Sequence, residues 1–91
     1  MNNINESSKN LTKKEVNELL ASWVEESLIE LGGSGNLVEV AKMVWKLHGK
    51  DISEMGDLLF TWQYDYRWAA TYLREKKIMK PSKGGLWELI K

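Results

Sequence analysis

Apolar residues recur at helical spacing through the first third of the chain: Val16, Leu19, Leu20, Trp23, Val24, Leu28 and Leu31 form one stripe. Thr12-Lys13-Lys14-Glu15 just ahead of them is a capping box, with Leu11 and Val16 placed as its hydrophobic staple. Gly32-Gly33 ends the run, because glycine accepts the left-handed conformation beyond a helix C-terminus. A short extended piece is expected at Ser34–Gly35. Asn36, with Glu39 three residues on, then starts a second stripe of Leu37, Val40, Ala41, Val44, Trp45 and His48, which Gly49 is expected to close. Asp51-Ile52-Ser53-Glu54 reads as a third start, leading into a short helix through Leu58, Leu59 and Phe60 that Gly56 weakens.

The pattern then becomes two-sided. Phe60, Trp62, Tyr64, Tyr66 and Trp68 alternate with polar residues, as in a strand, whereas Ala69-Ala70 and Leu73-Arg74-Glu75-Lys76-Lys77 favour a helix. The helical reading predicts one element from about Trp62 to Lys77. At 100° per residue it gathers Trp62, Tyr66, Ala69, Tyr72 and Leu73 on one side. Gln63, Tyr64, Arg67, Thr71 and Arg74 fall on the other. Ile78-Met79-Lys80 and Leu86–Ile90 read as two short strands around a five-residue loop. An apolar-backed helix followed by a basic hairpin predicts a winged helix-turn-helix: mainly α, three to four helices plus a two-stranded wing at 78–90. Residues 10–91 form its single domain, behind a disordered N-terminal tail of residues 1–9.

Composition supports a folded chain. Its 43 % hydrophobic and 29 % charged content is ordinary for a globular domain, and five tryptophans supply much of the expected core. The absence of cysteine excludes a disulfide framework and a zinc–thiolate site, which suits a cytoplasmic protein. No apolar run approaches the ~18 residues of a membrane span, so no membrane association is expected. Formal net charge is zero, but it is unevenly spread. From Arg67 onward seven basic residues face two acidic ones, a net of +5, while the first 66 residues hold six basic and eleven acidic ones, a net of −5. The local field decides whether phosphate is attracted, and it is positive in the last part of the chain.

Trp68-Ala69-Ala70-Thr71-Tyr72-Leu73-Arg74-Glu75-Lys76-Lys77-Ile78-Met79, followed by Lys83-Gly84-Gly85-Leu86-Trp87, resembles the winged-helix domain at the N-terminus of Mrr-type restriction proteins. That family shows a Trp-Ala-x-x-Tyr-Leu helix, a Gly-Leu-Leu-like exit, a basic turn ending in Gly, then an aliphatic and an aromatic residue. The order of the two earlier helices also agrees. The resemblance implies a DNA-recognition module in a restriction, mobile-element or transcription-regulation setting. The sequence departs from the family at Tyr64-Asp65, where the family carries Asn-Arg. The 91 residues leave no room for the nuclease domain that follows this module in Mrr proteins, so the expectation is a recognition module alone or a small stand-alone relative.

Little in the chain points to catalysis, a metal or a cofactor. His48 is the single histidine, expected at a helix end, and Ser34, Ser53 and Ser82 have no paired base near them in sequence. Asp57 and Asp65 have no evident basic or metal-ligand companion. Gly32-Gly33-Ser34-Gly35 lacks the Gly-Lys-Ser/Thr ending of a phosphate loop. Double-stranded DNA is the expected partner. Arg67 and Arg74, two turns apart, suit guanine edges or phosphates, and Gln63 suits adenine. Tyr64 and Thr71 offer hydroxyls. Lys80, Ser82 and Lys83 would meet the backbone from the wing. The rival expectation is a winged-helix adaptor, in which the same aromatic-basic face, centred on Tyr64 and Trp68, docks a protein partner or a second copy.

Overall fold

A computed structural model describes residues 12–81 and 84–90. Leu11 of the expected staple, the N-terminal tail, and Ser82 and Lys83 of the loop lie outside them. The fold is mainly helical, with three helices and a two-stranded antiparallel sheet among the described residues.

Helix α1 spans Lys13–Glu30 and starts as its sequence requires: Glu15 N donates to Thr12 Oγ1 (3.1 Å), and Thr12 N donates to Glu15 Oε1 (2.9 Å). It ends in a Schellman turn. Gly32 N donates to Ile29 O (3.0 Å) and Gly33 N to Leu28 O (2.7 Å), with Gly32 at φ 89°. Strand β1, Ser34–Asn36, leads into α2, Leu37–Ser53, through a second complete capping box between Asn36 and Glu39.

Helix α2 does not stop at Gly49, and Asp51–Glu54 does not begin a third helix. Gly49 is buried, and a Cβ placed on it would lie 3.0 Å from the Trp45 indole, so that ring already fills the space beside it. Ile52 is fully buried and carries the apolar stripe of Val40 and Val44 on past the glycine. Burying Ile52 offsets the roughly 1 kcal/mol that a mid-helix glycine costs.

Helix α3, Leu58–Glu75, begins a turn earlier and ends two residues sooner than expected. Its first turn is held by Leu58, which packs into the core. The strand-like alternation of aromatics has a helical explanation. Two residues advance about 200° round a helix, so Trp62 and Tyr66 face inward while Phe60, Tyr64 and Trp68 face outward. At its end Ile78 N donates to Leu73 O (2.8 Å), and Lys77 takes the left-handed conformation at φ 64°.

Strand β2, Leu86–Glu88, finds its regular partner in β1 rather than in residues 78–80: Ser34 pairs with Glu88, Gly35 with Trp87 and Asn36 with Leu86. Residues 78–80 lie along the other edge, through a Met79–Leu89 bridge and bonds from Lys80 N to Glu88 O (2.8 Å) and from Ile90 N to Ile78 O (2.9 Å). The core joins all of these elements. Leu20, Val24 and Leu28 of α1 meet Val40 and Val44 of α2 and Ala69 and Leu73 of α3. An aromatic series Trp45–Trp62–Tyr66–Trp87, with ring centres 6.0, 5.5 and 5.3 Å apart, runs from α2 through α3 to β2.

Candidate nucleic-acid interface

Because α3 packs its inner face on α1 and α2, its outer face is left uncovered. Gln63, Tyr64, Arg67 and Thr71 are all exposed there, as the helical wheel requires. Gln63, Tyr64 and Arg67 share one shallow hollow with Phe60. Thr71 and Trp68, on the α1 side of that face, also line the groove between α3 and α1. Arg67 makes no ion pair among the described residues and sits beside the Tyr66 phenol, whose hydroxyl donates to Leu37 O (3.0 Å). Burial pushes the Tyr66 phenol above its ordinary value of 10.0, and the neighbouring Arg67 draws it part of the way back.

Two expected contact residues are otherwise engaged. Arg74 is not free on the open face: its Nε donates to Lys80 O (3.2 Å) and its guanidinium lies 5.9 Å from the centre of the Trp87 ring. One terminal nitrogen of Arg74 is buried without a partner among the described residues. The side chain therefore straps α3 to the C-terminal segment, because its long stem folds back along an apolar surface. Lys80 pairs with Glu88 at 3.2 Å, which offsets its charge without burying it. Ser82 and Lys83 lie outside the described residues.

Sequence reasoning did not single out three residues that border this face. Lys42 and Trp45 of α2 line a cleft whose far side is Leu59, Trp62 and Gln63, so a cation stands next to the outer face of α3. Phe60 is 78 % exposed beside Tyr64; it was left off the contact face because that helix was expected to start two residues later. Asp65, expected to lack a companion, is buried and pairs with Lys13, with Thr61 Oγ1 donating to its other oxygen (3.2 Å). Nothing local signals a partner 52 residues away.

His48 is not at a helix end. It stacks flat on Trp23, with ring centres 4.3 Å apart, and its ring nitrogens meet Glu26 (2.7 Å) and Asp51 (3.3 Å), which ties α2 to α1. Among the described residues no group of three His, Cys, Asp or Glu side chains is placed to hold a metal ion. No helix among them is long and apolar enough to cross a membrane. Compared with family models, with curated proteins and with solved structures, the chain matches none.

Proposed function

We propose that this protein binds duplex DNA without catalysis, as a winged helix-turn-helix whose recognition helix is α3 and whose wing is the segment 78–90. Helices α2 and α3, joined by the turn at Glu54–Asp57, form the helix-turn-helix of this reading. An 18-residue helix is about 27 Å long and fits a major groove about 12 Å wide. The observation that carries the reading is the open outer face of α3. Gln63 and Arg67 stand one turn apart on it, and Lys42 of α2 stands at its edge. Gln63 presents an amide to adenine, Arg67 a fork to guanine or phosphate, and Lys42 a point charge to the backbone. A regulator or a restriction- or mobile-element-associated module is the setting this chemistry suits.

Few cations face that way, so the salt dependence is expected to be modest. Two to four phosphate contacts correspond to a slope of about −2 to −3.5 in log K against log salt. Fluorescence anisotropy with a labelled 20-base-pair duplex, titrated at low and then moderate salt, tests this. Arg67→Ala and Lys42→Ala are each expected to weaken binding and flatten the slope by about 1. No binding at low salt, or binding indifferent to both substitutions, would sink the proposal. A specific observation also favours the adaptor reading: Phe60, Tyr64 and Trp68 expose large rings on the same face, a composition typical of protein interfaces.

A further inference from the structure

Phe60, Tyr64 and Trp68 are 78, 73 and 61 % exposed and stand at four-residue intervals on α3, so they form a continuous aromatic ridge on the side of the helix that faces away from the core. An aromatic side chain presents roughly 150–250 Å². At these exposures the ridge offers roughly 400 Å² per molecule, near the size at which an exposed apolar patch marks an interaction site. Two such ridges facing one another cover about 850 Å², and the polar rim of Gln63, Arg67 and Thr71 brings the total to the ~1,000 Å² of a specific interface.

We propose that a second copy of this chain covers the ridge, in an antiparallel two-fold pairing of α3 with α3 centred on Tyr64. A two-fold axis through Tyr64 places each residue 64+k opposite 64−k, so Phe60 meets Trp68 of the second copy at both ends. Arg67 then stands level with position 61 of the second copy and next to its Phe60, three residues (about 4.5 Å along the axis) from Asp57. Asp57 is exposed and makes no capping hydrogen bond with its side chain, and neither it nor Arg67 has an ion pair among the described residues. The two charges are complementary in this arrangement, and they are repeated by symmetry. Zero net charge adds no overall repulsion between copies.

Pairing through α3 covers Gln63 and Arg67. One consequence rests on the DNA reading of that face: the dimer and the DNA complex exclude each other. The paired form is then a resting state that duplex DNA must dissociate, and apparent DNA affinity falls as protein concentration rises.

Sedimentation velocity across ~5 to ~500 µM protein reads the self-association directly. The wild-type chain should pass from monomer to dimer in this range, and Tyr64→Asp should remain a monomer with an unchanged far-ultraviolet circular dichroism spectrum. Charge reversal tests the register: Asp57→Lys and Arg67→Asp should each weaken the dimer at least tenfold, and the double variant should recover most of that loss. A wild-type chain monomeric at the highest concentration, or a dimer indifferent to Tyr64→Asp, overturns the proposal. A double variant no better than the singles overturns the antiparallel arrangement. Adding the 20-base-pair duplex separates the two readings. Dissociation of the dimer supports mutual exclusion, and a dimer that stays intact while anisotropy reports bound DNA refutes it. A dimer with no DNA binding in either form leaves the self-association standing and removes the DNA reading.

Discussion

Replacing Lys77 with glycine should stabilise the protein, and the size of the gain follows from one backbone angle. Lys77 sits at φ 64° just past the end of α3, where Lys77 N donates to Arg74 O (3.1 Å) and Ile78 N to Leu73 O (2.8 Å). A side chain in this left-handed region costs roughly 1–2 kcal/mol, because Cβ crowds the following carbonyl. Glycine removes that cost but returns roughly 0.5–1 kcal/mol through its greater freedom in the unfolded chain. The Lys77 side chain is exposed and makes no ion pair among the described residues, so little else is lost. The net expectation for Lys77→Gly is a gain of about 0.5–1 kcal/mol, or about 2–6 °C in Tm for a domain of this size. Urea unfolding followed by circular dichroism measures it as a higher midpoint at an unchanged m-value. Lys77→Ala keeps the backbone strain and should fall within about 0.5 kcal/mol of wild type. A Lys77→Gly variant no more stable than Lys77→Ala would overturn this account, since the strain would then not be the source of the effect.

Arg67 and Arg74 should part company: Arg67→Ala should leave Tm within about 1 °C while weakening DNA binding, because its side chain is exposed. Arg74→Ala should cost about 1–2 kcal/mol in urea unfolding, because it removes the bond to Lys80 O and the cover over Trp87. Tyr66 makes stability fall at alkaline pH. Its folded pKa is raised, so the neutral phenol stabilises the fold below the ordinary value of 10.0, and that contribution changes as pH rises through and beyond it. The sign follows from proton binding. Above 10.0 the unfolded chain has lost a proton that the folded state still holds, so ionisation favours unfolding and the stability from Tyr66 is lost as pH rises toward the folded value. Relative to Tyr66→Phe, unfolding free energies measured from pH 8 to 11 should therefore show wild type losing ground, because only the wild-type chain gains ionisation energy on unfolding. At neutral pH Tyr66→Phe should cost about 1 kcal/mol for the lost bond to Leu37 O. Leu28→Ala, at a fully buried site, should cost about 3–5 kcal/mol, visible as a midpoint shift large enough to leave the domain marginal.

Short-range chemistry placed a good part of this fold in advance. Thr12 with Glu15 and Asn36 with Glu39 set two helix starts, because each box closes its own hydrogen bonds within four residues. Gly32-Gly33 sets the first stop for the same reason. The outward direction of Gln63, Tyr64, Arg67 and Thr71 was legible too, since helical periodicity alone separates them from Trp62, Tyr66, Ala69 and Leu73. Packing settled what remained. Gly49 looked like a stop until the burial of Ile52 and the Trp45 ring beside Gly49 carried α2 through it. Leu86–Glu88 chose Ser34–Asn36 as its regular partner over the nearer residues 78–80, and Arg74 and Lys80 found partners that withdraw or neutralise them. Asp65 is held by Lys13 from the far end of the chain. These choices rest on side chains that meet only when the helices pack, and free energy gained between distant residues leaves no local mark in the sequence.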